Sequence, residues 1–164
     1  MFSTQSLRKL ILPLFLDQIL LVLVSIVSTM LLSYAGEAAV SGVSLVEMVN
    51  VLLINILIAL STGGAVVVAQ MIGSQNHFLA NKSAGQIVLI TLLVSVTFTL
   101  VVLFFHPLIL NLLFGQVDPE VMNAAKIYFV LSSLSYPFLA LYNTSAALFR
   151  AQGNSRIPML ASMF

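Results

Sequence analysis

The chain has 164 residues, 60% hydrophobic and only 7% charged, with a mean hydropathy of +1.14. Soluble domains carry about 25% charged residues, so most of this surface cannot face water and its solvent is lipid. The net charge of +1 comes without a basic patch, which excludes nucleic acid as a partner, and the absence of cysteine excludes disulfides and Cys-based metal sites.

A membrane span needs about 20 apolar residues. Four such runs are present. The first extends from Leu10 to Tyr34, with Pro13 in its opening turn and Gly36 as its stop. Arg8-Lys9 ahead of it resembles the start of a signal peptide, but the run exceeds the 7–15 residues of a signal core, so it reads as a retained span. The second covers Val40 to Gln70, with Thr62-Gly63-Gly64 as its weak point. The loop Gly73 to His77 returns the chain. The third runs from Ser83 to Phe105 and is expected to break at His106-Pro107, leaving a short apolar piece from Leu108 to Phe114. Asp118-Pro119-Glu120 has the form of a helix start, with Asp118 as the cap. The fourth covers Ala125 to Phe149 and should kink at Pro137. After Gly153, Asn154-Ser155-Arg156-Ile157-Pro158 opens a further helix that cannot cross the bilayer before Phe164.

The expected fold is therefore all-α: one polytopic membrane helix bundle over residues 1–164, with four complete spans and the start of a fifth. With the N-terminus in the cytoplasm, Arg8, Lys9, Lys82, Arg150 and Arg156 lie inside and only Lys126 lies outside. That is the positive-inside bias of a multi-pass protein in the cell membrane.

Carboxylates within spans are expensive, at about 2.5–3.5 kcal/mol at the centre on insertion scales. Asp17 and Glu47 are the two present. Asp17, about two turns from the inner end of span 1, fits either a position solvated by headgroups or a transport role; Glu47, about two turns from the outer end of span 2, is the stronger functional candidate. Asp17 and Ser28 are about three turns apart and share a face with Gln18, Ser25 and Thr29. Glu47 and Asn50 are neighbours one turn apart, and Ser44, Asn55, Ser61 and Thr62 share their half of span 2. Tyr128, Ser132, Ser135, Tyr136 and Asn143 form a stripe on span 4. Three polar faces fit a bundle around a partly hydrated interior. The alternatives are local: hydroxyls bonding back to their own helix, Asn50, Asn55 and Asn143 joining helices, and tyrosines packing or anchoring rather than meeting a cation.

There is no Walker A sequence and no H-E-x-x-H. His77 and His106 lack metal-ligand spacing, and no nucleophile pairs with a base, so an enzyme is not expected and no cofactor is implied.

Four blocks carry a family resemblance: Leu12 to Gln18, Gly36 to Leu45, Ala59 to Gly73, and Phe149 to Met159. In this order and spacing they look like the N-terminal lobe of the multidrug and toxic compound extrusion (MATE) family. The resemblance implies a twelve-span secondary antiporter that exports drugs and organic cations in exchange for Na+ or H+. It also implies a C-terminal lobe as the partner of this one, within membrane lipid. Many members carry an Asp in span 1 in a stretch like V-D-T-x-M. Here Val27-Ser28-Thr29-Met30 places a hydroxyl there, which cannot hold a negative charge. Glu47 is the residue expected to stand in. Two other readings remain: a non-transporting truncated or packing-partner membrane protein, and a lipid-linked precursor flippase, which would favour an interior Arg or Lys cluster that these spans lack.

Overall fold

A computed structural model describes residues 4–154 and 157–158; the side chains of residues 1–14 and of Asp17 fall outside that description. Every regular element among the described residues is a helix: α1 (Thr4–Ser33), α2 (Glu37–Gly73), α3 (His77–Phe114), α4 (Pro119–Ser133) and α5 (Tyr136–Ala151). Tight turns join them, so α1, α2, α3 and the α4–α5 pair run alternately up and down. Gly36, with φ of 97°, makes the first turn, where a side chain would be strained. At the second, Asn76 caps α3 by accepting a hydrogen bond from the Leu79 amide at 3.2 Å.

α2 is the centre of the bundle, packing on α3, α4 and α5, while α3 also packs on α4 and α5. α1 rests lightly against α2 and shows exposed side chains along most of its described length. The main core joins Val46 and Leu57 of α2, Val102 and Leu110 of α3, Ala125 and Phe129 of α4, and Tyr136 and Ala140 of α5. A smaller cluster of Val68, Ala80 and Leu148 closes the opposite end.

Two helices, α2 and α3, are long and apolar enough to cross a membrane unaided, and α4 with α5 forms a third crossing bent by 46°. For α1 the described apolar stretch is Gln18–Ser33, within a helix that begins at Thr4. Ile157 and Pro158 have helical backbone; residues 159–164, the rest of the expected fifth segment, lie outside the described residues.

Four local expectations are corrected. α1 begins at Thr4, so Pro13 lies inside the helix rather than in its opening turn. α3 does not break at His106-Pro107 but continues to Phe114 with Pro107 inside it. The carbonyl that Pro107 cannot serve, that of Leu103, instead receives the His106 ring Nδ1 at 3.2 Å, in the tautomer that carries the proton there. α2 runs unbroken through Thr62-Gly63-Gly64. Gly64 serves packing rather than bending, because a Cβ there would lie 2.7 Å from the Ile87 side chain. Asp118 occupies the cap position of α4, but its side chain makes no capping bond; its backbone carbonyl accepts from the Met122 amide at 3.0 Å. The expected kink at Pro137 is present, with Pro137 in the first turn of α5 and the break at Leu134–Ser135 just before it.

Gly42 marks the closest approach of α2 to α4. A Cβ there would stand 2.8 Å from the Val121 carbonyl and 2.9 Å from the Ala125 amide nitrogen, both backbone atoms. Overpacking of this kind costs about 1–3 kcal/mol, so Gly42→Ala should lower the thermal unfolding midpoint in detergent. Gly63 has nothing within 4 Å, and Gly63→Ala should hold or raise the midpoint, since alanine suits a helix interior by roughly 0.5–1 kcal/mol. Equal midpoints for the two variants would contradict this helix contact.

Candidate functional site

The polar face of α2 meets the tyrosine stripe of the bent span. The Tyr128 hydroxyl donates to Glu47 Oε1 at 2.6 Å. One turn further along α2, the Tyr136 hydroxyl donates to Asn50 Oδ1 at 2.6 Å, and Ser132 Oγ donates to the same atom at 3.3 Å. The two pairs differ in setting. Asn50 and Tyr136 are 3% and 1% exposed, so their bond is almost wholly buried, although both residues border one of the two clefts beside them. Glu47 is exposed and Tyr128 half-buried, so theirs opens onto free space.

That space consists of two clefts. One, of about 590 Å³, lies between α1 and the rest, lined by Ser25, Ser28, Thr29 and Leu32 of α1, Val43 and Glu47 of α2, and Tyr128. The other, of about 430 Å³, is lined by Glu47, Asn50 and Ile54 of α2 and by residues of both arms of the bent span, Tyr128 and Tyr136 among them. Glu47 and Tyr128 line both. Among the described residues, Tyr128 is the one side-chain donor to the Glu47 carboxylate, and no basic group pairs with it. A carboxylate so placed has lone pairs left for a proton or a small cation. No cluster of three or more His, Asp or Glu that would hold a metal ion occurs among the described residues.

The structure thus gathers Glu47, Ser28, Asn50 and Tyr136 of the predicted site residues, and separates Asn143, which is half-buried on α5 and lines neither cleft. The side chain of Asp17 lies outside the described residues. Tyr128 belonged to the predicted stripe but was not singled out; only the fold sets it against Glu47.

A second polar system joins three helices, and of its members only Ser61 stands out in the sequence, on the polar half of span 2. Thr144 of α5 lies 2.9 Å from both Ser61 of α2 and Thr91 of α3, a chain of three buried hydroxyls tying three helices. Ser61 and Thr91 also reach the carbonyls of Leu57 and Ile87 in their own helices. On α3, Thr91, Ser95 and Thr99 are all buried. Their spacing of one helical turn was legible in the sequence and marks a polar seam of span 3.

Long apolar helices around carboxylate-bearing clefts define a polytopic helical membrane protein with a polar interior. The profile of the MatE family matches residues 13–164, and the chain belongs to that family. It is 29% identical over 163 residues to the probable multidrug resistance protein NorM of Thermotoga maritima, covering 96% of this chain and 34% of that protein. It is 32% identical over 144 residues to the human multidrug and toxin extrusion protein 2, covering 86% of this chain and 23% of that protein. The chain therefore spans about a third or less of the length of these relatives. No solved structure matches it significantly.

Asn50→Leu would leave the buried Tyr136 hydroxyl without its acceptor, at about 1–3 kcal/mol. Tyr128→Phe removes a bond that opens onto a cleft and should cost less. Denaturant unfolding in detergent should rank Asn50→Leu as clearly the less stable variant; the reverse order would contradict the burial of the inner pair.

Proposed function

We propose that this chain forms part of the N-terminal lobe of a multidrug transporter that exports organic cations and other drugs in exchange for Na+ or H+, and that Glu47 is its coupling carboxylate. The observation that carries this reading is the placement of Glu47 at the junction of two clefts, with Tyr128 as its side-chain donor. Family membership supports the transporter class, and both relatives bear names of multidrug proteins. Ser28 lines the same cleft as Glu47, which supports a transfer of the charged role from span 1 to span 2. A carboxylate can exchange a proton or Na+ during a cycle, whereas a hydroxyl stays neutral.

The same reading places the N-terminus in the cytoplasm and Lys82 and Arg150 at the inner ends of their spans. The protein is a transporter rather than an enzyme, and its chemistry needs no cofactor. Its second lobe supplies the opposing wall of the pathway. α1, in light contact with α2, presents side chains free to meet lipid or that lobe.

In a full-length protein carrying this segment, Glu47→Gln should abolish efflux of a cationic dye from proteoliposomes driven by a Na+ or H+ gradient. Glu47→Asp should retain a reduced rate. Efflux that persists unchanged in Glu47→Gln would refute the assignment. Residues 1–164 alone, purified as a monomer, should show no gradient-driven efflux, because rocking access needs two lobes; dye transport by that monomer would refute the division of labour.

A further inference from the structure

The bent span contains a backbone group that its own helix cannot satisfy. Pro137 has no amide hydrogen, so the carbonyl one helical turn before it, that of Ser133, loses its regular partner. The bend of 46° falls in this gap. Thr99 of α3 fills it: its Oγ1 donates to the Ser133 carbonyl at 2.8 Å. The same hydroxyl lies 3.0 Å from the Ser95 carbonyl, but that oxygen sits mid-helix in α3, with its own turn to serve it. Thr99 is 8% exposed and Ser133 is fully buried, so no water competes for the position.

The two arms are tied to α3 differently. α5 is bound to α2 by the Asn50–Tyr136 bond and to both α2 and α3 through Thr144. α4 is held on α2 by the Tyr128–Glu47 and Ser132–Asn50 bonds and by the close contact at Gly42, whereas its side-chain bond to α3, among the described residues, is Thr99–Ser133.

We propose that the Leu134–Ser135 break is a working hinge, in which α5 keeps its place on α3 through Thr144, α4 is the arm that shifts on α3, and the Thr99–Ser133 bond is the brace that sets the angle. Because Glu47 also holds this arm through Tyr128, a proton or cation arriving at Glu47 would loosen one of its ties to α2. That last step rests on the transport reading above; the brace and the hinge do not.

The test uses the full-length protein in liposomes, with spin-label pairs read by pulsed dipolar spectroscopy. One pair joins Asn123 on α4 to Phe104 on α3; the other joins Ser145 on α5 to Phe104, all exposed positions. Thr99→Val should shift or broaden the α4 distance by several ångström and leave the α5 distance unchanged, while Thr99→Ser should restore the original distribution. Pro137→Ala returns an amide to the Ser133 carbonyl, so Thr99→Val should have no effect in that background. If Thr99→Val alone is too unstable to label, the double variant must still fold and match Pro137→Ala. The hinge is overturned if the α4 distance ignores Thr99→Val, if both distances move together, or if the double variant differs from Pro137→Ala. A shifted α4 distance beside unchanged efflux in Glu47→Gln would refute the transport reading alone. Lost efflux beside an unmoved α4 distance would refute the hinge alone.

Discussion

Hydrocarbon offers no hydrogen bonds, so every polar group inside this bundle must find its partner within the protein. That constraint is plain at a proline of α3 and another of the bent span. Pro107 and Pro137 each deprive a carbonyl of its helical amide, and a side chain answers each time: His106 for Leu103, and Thr99 for Ser133. The outcomes differ with the source of the donor. His106 belongs to the same helix and mends it locally, so α3 continues past Pro107. Thr99 comes from a neighbouring helix, and the bent span stays open at its break.

Packing follows the same logic. Lipid tails are as apolar as leucine, so burial from lipid gives little drive for helices to associate, and close contact with shared hydrogen bonds must do it. Gly42 brings α2 against the backbone of α4, and Gly64 seats Ile87 of α3. Ser61, Thr144 and Thr91 then lock α2, α5 and α3 through their hydroxyls. α1 lacks contacts of this kind among the described residues and leans on α2 across a cleft rather than a seam. The loose fit of α1 and the polar cavity beside it are one feature, since space lined by Ser28, Thr29 and Glu47 exists only because the helices do not close there.

Glu47 and Asn50 show how one helix face serves two purposes. A single turn separates them, and each accepts from a tyrosine of the bent span at 2.6 Å. The inner pair is buried and joins helices, which is the structural alternative weighed for Asn50. The outer pair is more exposed and borders both clefts, where the inner pair touches only the second, and a carboxylate within a span is costly unless used. The boundary between structural and functional polarity thus falls within one turn of α2.

Much was readable in the residues alone. Apolar run length placed the long helices, because a bilayer sets that length directly. Gly36, Gly153 and Pro137 punctuated them where positive φ or a missing amide leaves little choice. The polar stripes were visible through helical spacing, and the seam of Thr91, Ser95 and Thr99 was equally legible though overlooked. Which stripe faces which was not, because spacing fixes a residue's direction around its own axis and nothing about the neighbour it meets. The pairing of Tyr128 with Glu47, the exclusion of Asn143 from the clefts, and the repair of Pro107 by His106 but of Pro137 by Thr99 depend on interhelical distance and rotation. Local composition therefore determined that this chain lives in lipid as helices with polar sides; only tertiary packing decided which polar groups were spent on holding the bundle and which were left facing open space.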